Sequence, residues 1–92
     1  MSQAAPYVLV LTPPAVRAIR SVLPESVATA VIEFITGALL HNPQRVAKML
    51  RGDLAGIHSA RRGTYRVLYR INESSREVVV LRVDHRRDAY RS

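Results

Sequence analysis

The chain has 92 residues, a hydrophobic fraction of 48% and a formal charge of +7, with a pI near 11.1. That length supports a single domain over residues 1–92, and the apolar content excludes a chain too polar to build a core. The absence of cysteine excludes a disulfide framework and a thiolate metal site, and no apolar run reaches the roughly 18 residues of a membrane span.

The N-terminus lacks a basic segment followed by an apolar block, so no secretory signal is expected and the expected compartment is the cytoplasm. The positive charge is uneven. Residues 57–92 carry nine arginines against four acids, whereas residues 1–56 carry five basic residues against three acids. Lys48 is the only lysine beside thirteen arginines. Guanidinium is a planar fork that matches phosphate oxygens and stacks on bases. The balance therefore points to an anionic partner: nucleic acid, an acidic protein or a membrane surface.

Tyr7-Val8-Leu9-Val10-Leu11 is a short, β-branched, apolar run that predicts a strand. Thr12 then occupies an N-cap position with Pro13 at the first helical position. The helix runs to about Leu23, with Val16, Ile19 and Leu23 on its inner side and Arg17 and Arg20 outside. Pro24 ends it and opens a second helix to about Leu40, with Glu25 in its first turn. Val27, Val31, Phe34, Ile35 and Ala38 give that helix one buried stripe. His41 is expected at its C-terminus, and Gln44 to Leu50 as a further helical turn before a loop at Arg51-Gly52-Asp53 and Gly56.

Three strands follow: Ile57 to Arg61, Tyr65 to Ile71, and Val78 to Asp84. A two-residue turn at Arg62-Gly63, with Gly63 at positive φ, pairs Ser59 with Arg66 and Ile57 with Leu68. A five-residue loop over Asn72–Arg76 pairs Arg66 with Arg82 and Tyr69 with Val79. A four-residue loop would carry Arg82 onto the apolar face of Tyr65, Val67 and Tyr69, where an unpaired charge is costly. Arg66, Arg82, Asp84 and Arg86 then share one face with Ser59 and Arg61, and Val79, Leu81 and Val83 pack on the helices. The fold class is α+β: a strand, a helical hairpin, and a three-stranded antiparallel meander packed on the helices.

Two groups of residues are equipped for chemistry. The first is the cationic strand face, where several arginines side by side repel one another unless an anion lies between them. The second is the tail with His85, Arg86, Arg87 and Tyr90. It offers a group that titrates near neutrality, guanidiniums suited to phosphorane charge, and a phenol that donates or stacks. His41 is expected to be a helix-end residue and His58 an ordinary strand side chain. Neither forms a metal-ligand spacing with His85, so no metal and no cofactor is expected.

The run Leu50-Arg51-Gly52, Gly56, Ser59-Ala60-Arg61-Arg62-Gly63, Tyr65-Arg66-Val67-Leu68-Tyr69, Ile71, Val80-Leu81, Val83, His85-Arg86 and Tyr90 resembles the RelE/ParE toxin superfamily, its RelE/RelG branch most of all. The resemblance implies a toxin of a type II toxin–antitoxin pair that enters the ribosomal A site. There it cleaves mRNA without metal, by attack of the 2′-hydroxyl on the adjacent phosphate. By motif position it makes Arg66 and Arg86 the transition-state arginines, His85 a general acid and Tyr90 the tyrosine that orients or stacks on the substrate. Arg61, Arg62, Arg82, Arg87 and Lys48 are the candidate RNA contacts. It assigns no general base, because Ile57, His58, Ser59 and Ala60 stand where relatives carry lysines or an acid.

The implied partners are a RelB-like or Phd-like antitoxin, the ribosome and mRNA, with operator DNA bound through the antitoxin in a hetero-oligomer. A ParE-like toxin that inhibits DNA gyrase without catalysis shares the fold, as does a basic module that only binds its antitoxin.

Overall fold

The computed structural model describes residues 5–50 and 56–85. Strand β1 (Val8–Leu11) leads into helix α1 (Pro13–Arg17), which runs on as a wider π-type turn over Ala18–Val22. Helix α2 (Glu25–Phe34) continues in the same way over Ile35–Leu39. Strands β2 (Lys48–Met49), β3 (His58–Arg62), β4 (Tyr65–Asn72) and β5 (Glu77–His85) complete one five-stranded sheet in the order β1-β5-β4-β3-β2. β1 runs parallel to β5, and the other neighbours are antiparallel.

The helical hairpin and its joint at Pro24 follow the sequence closely. Pro24 cannot continue α1, and Glu25 sits in the first turn of α2 beside its positive end. The buried stripe of α2 is Val31, Ile35 and Leu39, with Val27 and Phe34 half-buried. Ala38 is exposed, contrary to the helical periodicity. The π-type turn takes an extra residue, shown by the Leu40 N–H reaching the Ile35 carbonyl, and so carries Leu39 inward instead. His41 closes the helix, its Nδ1 2.7 Å from the Gly37 carbonyl. The helices bury Ala15, Ala18, Leu23, Val31, Ile35 and Leu39 against Ala60, Val67, Tyr69, Val78, Val80 and Val83 of the sheet.

The sheet has five strands where the sequence pattern gives a three-stranded meander, since β1 and β2 flank it, and three of its details differ as well. Residues 44–50 hold a short strand rather than a helical turn, because Lys48 and Met49 pair with Ser59 and His58 along the free edge of β3. The first hairpin turns at Gly63-Thr64, one residue later than expected, so Arg61 lies opposite Arg66 and Ser59 opposite Leu68. Gly63 still supplies the positive φ, at 54°, now at the first central position, as a II′ turn requires. The register moves by two residues, which preserves the faces.

The second hairpin closes with four residues, Glu73–Arg76, so that Asn72 pairs with Glu77 and Tyr69 with Val80. Arg76 ends this loop at φ 52° and stacks its guanidinium 4.1 Å from the Tyr7 ring centroid. The four-residue loop does not bury Arg82, because the ladder slips between Leu68 and Tyr69. Leu81 is the extra residue of a β-bulge, and a bulge inverts the alternation beyond it. Val78 and Val80 are buried before the slip and Val83 after it, in place of the expected Val79, Leu81 and Val83. Arg82 consequently pairs with Leu68 and Asp84 with Arg66, rather than Arg82 with Arg66.

Thr12 holds the bulge. It stands at the N-cap of α1 but makes no side-chain cap bond there. Its hydroxyl lies 2.9 Å from the Val80 carbonyl and 3.0 Å from the Leu81 carbonyl, and its N–H donates to Val80 O at 3.1 Å. The first residue after β1 therefore anchors the irregularity in β5. Thr12→Val removes the hydroxyl while keeping the shape. It is expected to lower unfolding free energy by about 1–2 kcal/mol, measured by urea denaturation, with faster amide exchange along Arg82–His85.

Candidate functional site

The outer face of the sheet, away from the helices, carries two rows of side chains that cross the strands. One row is Lys48, Ser59, Leu68 and Arg82, and the next is Arg61, Arg66 and Asp84. Segment 45–50 rises beside this face and makes an open cleft of about 710 Å³. Arg45, Lys48, Arg61, Arg62 and Arg66 line it with Ser59, and Val46, Ala47 and Leu50 supply its apolar wall. Four expected contacts, Lys48, Arg61, Arg62 and Arg66, thus meet in one concavity.

These cations are not equivalent. Arg62 is occupied: Nη1 donates to the Arg61 carbonyl at 2.8 Å and Nη2 to the Val46 carbonyl at 3.1 Å. Its guanidinium also stands 4.8 Å from the Phe34 ring centroid, a cation–π contact. Arg62 therefore ties the cleft wall to β3 and α2. Arg82 is tied as well, its Nε 2.6 Å from Asp84 Oδ1. Arg45, Lys48, Arg61 and Arg66 make no side-chain hydrogen bond or ion pair among the described residues. Arg61 and Arg66 face each other across the ladder, an arrangement of like charges that costs stability until an anion enters between them.

His85 ends β5 as the partner of Tyr65. Alternation sets it on the helix-facing side with Val83, not on the face of Arg66. The acid–base group that the strand does bring to Arg66 is Asp84. Arg86, Arg87 and Tyr90 lie outside the described residues. Arg45 is a site residue that the sequence pattern missed, because its segment carries a helical signature and acquires a face only when β2 joins the sheet. Among the described residues no group of three or more His, Asp or Glu is placed to hold a metal ion.

Beneath the cleft lies a layer that fixes it. His58, only 7% exposed, stacks on Tyr69 with centroids 5.2 Å apart and planes at 17°. Tyr69 donates its hydroxyl to the Pro43 carbonyl, and burial pushes its phenol up to about 12, so it remains a donor. Together they seat the segment that carries Arg45 and Lys48. His58 is thus more than an ordinary strand residue. Its Nδ1 is buried without a partner, and desolvation pushes the imidazole below its usual 6.5.

This geometry has recognisable relatives. The family model for the ParE toxin of type II toxin–antitoxin systems matches residues 9–90. The chain belongs to the RelE/ParE family of type II toxins. It is 52% identical to Toxin RelG of Mycobacterium tuberculosis over 94% of this chain and 98% of that one. It is 45% identical to Toxin RelE of the same organism over 99% and 93%. Among solved structures, the RelBE2 toxin–antitoxin complex from M. tuberculosis contains a chain with TM-score 0.85 and 51% identity. That match covers 89% of this chain and 100% of that one. RelE-type members share the α+β arrangement seen here, with a helical hairpin on one face of the sheet.

The buried imidazole has a thermodynamic consequence. Its folded-state pKa lies below the unfolded value, so the unfolded chain takes up the proton first and stability falls as pH drops below about 6.5. His58→Phe keeps the stack and removes the proton. It is expected to flatten the fall in urea midpoint between about pH 8 and pH 5.

Proposed function

We propose that this RelE/ParE-family toxin is a ribosome-dependent endoribonuclease of the cytoplasm that cleaves mRNA in the A site and so stops translation. The observation that carries it is the Arg61–Arg66 pair, two guanidiniums opposite each other in an open cleft and without an ion pair among the described residues. A bridging phosphate relieves their repulsion, and a phosphorane, with more charge on its equatorial oxygens, relieves it further. Binding that strengthens in the transition state is catalysis. Lys48 and Arg45 extend the cation track along the RNA backbone, and Leu50, Val46 and Ala47 give a base an apolar wall.

In the proposed reaction the 2′-hydroxyl attacks the adjacent phosphate and the 5′-oxygen leaves, with no metal or cofactor. Arg66 and Arg61 carry the developing charge, joined by Arg86, with Tyr90 orienting the nucleotide, as the family motif implies. His85 lies on the helix-facing side of β5, so its proposed role as a proton donor is exercised through solvent water at the strand end. The proposed partner at rest is a RelB-like or Phd-like antitoxin whose acidic residues cover the arginine face, the pair binding its operator through the antitoxin.

The matched family model is that of ParE, which favours one second reading: inhibition of DNA gyrase by binding alone. Primer extension on ribosome-bound mRNA separates the two. The endoribonuclease cuts in the A site, and Arg66→Ala slows cutting by about 10²–10³-fold with the fold intact by circular dichroism. Intact mRNA together with blocked supercoiling by purified gyrase establishes the second reading instead.

A further inference from the structure

We infer that Asp84 is the proton acceptor of this site, the group that takes the 2′-hydroxyl proton as that oxygen attacks phosphorus. The inference rests on the endoribonuclease reading and supplies the base which that reading lacks. Three observations lead to it. The bulge at Leu81 turns Asp84 to the outer face, directly across the ladder from Arg66, whose other cross-strand neighbour is Arg61. Arg82 Nε holds Asp84 Oδ1 at 2.6 Å, which fixes the carboxylate and leaves Oδ2 without a hydrogen bond among the described residues. The Asp84 side chain is 23% exposed and that of Arg82 67%, so the carboxylate sits at the floor of the face and the guanidinium above it.

An anion at that place opposes the binding of a phosphate and weakens the very field the arginines create. Beyond its ion pair with Arg82, a carboxylate there can do what a neutral residue cannot, which is accept a proton. The other acid on this face of β5, Glu77, lies at the far end of the strand opposite Asn72, about 20 Å away at strand rise. Glu25 and Glu33 belong to α2. Asp84 alone among the described acids lies next to the arginine pair.

The O2′–P bond forms while the P–O5′ bond breaks, giving a 2′,3′-cyclic phosphate and a 5′-hydroxyl. The 2′-hydroxyl proton passes to the Asp84 carboxylate, the leaving 5′-oxygen takes a proton from solvent water, and Asp84 returns its proton to the hydroxide so formed. The charged groups around the carboxylate are Arg82 on its own strand and Arg66 on β4, with Arg61 one strand beyond.

The test is single-turnover cleavage of mRNA in programmed ribosomes by the whole chain and by Asp84→Asn, Asp84→Glu and Arg82→Ala. Asp84→Asn is expected to lose about 10²–10⁴-fold in the maximal rate with ribosome affinity equal to or tighter than that of wild type. Its residual rate climbs about tenfold per pH unit as hydroxide replaces the missing base, more steeply than wild type. Asp84→Glu restores part of the rate, which separates lost chemistry from lost folding. A scissile phosphate with a 5′-thio leaving group leaves the Asp84→Asn defect in place. Rescue by that substrate makes Asp84 a donor and overturns the inference. An Asp84→Asn loss matched by Arg82→Ala, with a pH profile parallel to wild type, reduces Asp84 to aiming Arg82 and also overturns it. Active wild type beside equally active Asp84→Asn removes this inference alone. A wild type that leaves ribosomal mRNA intact removes the endoribonuclease reading with it.

Discussion

One irregularity sets the chemistry of this toxin's sheet: the single extra residue at Leu81 in β5. Before it, Val78 and Val80 face the helices. Beyond it, Val83 does so and Arg82 and Asp84 lie on the outer face of the sheet. A regular ladder with the same four-residue loop would bury Arg82 and Asp84 and expose Val83. The desolvation cost of two charges makes that sheet unfavourable. The bulge is thus the means by which a short hairpin loop and an outward charged face coexist. Thr12 holds it from the other side, its hydroxyl on the Val80 and Leu81 carbonyls and its N–H on that of Val80.

The cations divide by what they already hold. Arg62 and Arg76 each have a ring beneath them and carbonyls at their nitrogens, and they tie segments together. Arg61, Arg66, Lys48 and Arg45 face the cleft without such partners among the described residues. A count of arginines cannot separate these classes, because the same side chain serves both. Register separates them, since it sets Arg61 across the ladder from Arg66 and Asp84 on the other side of Arg66. Like charges set side by side on neighbouring strands repel, and that cost falls on the free fold.

Most of the architecture is legible in the sequence because its signals are local. Pro13 and Pro24 mark the helix starts, the alternation from Tyr65 to Ile71 marks β4, and Gly63 marks the first turn. The misses share a cause in contacts between distant segments. Lys48 and Met49 have no strand signature of their own and become extended only by pairing with β3. The bulge at Leu81 depends on Thr12, which the local pattern assigns to capping a helix. The outward placement of Arg82 and Asp84 was nonetheless legible from the cost of burying charge, although the loop length inferred from it was one residue too long. The helix-facing position of His85 follows from the same alternation once β5 is seen to extend that far.

The parallel pairing of β1 with β5 joins the two ends of the described fold, and Thr12 and Val80 stand 68 positions apart. Closing so long a loop costs entropy that only the finished sheet repays, which makes such contacts late events in folding. During synthesis β1 therefore emerges with no strand beside it and waits for β5. The outer face cannot be completed on a partly made chain, because the segment bearing Arg82 and Asp84 and the residue that orients it are made far apart in time.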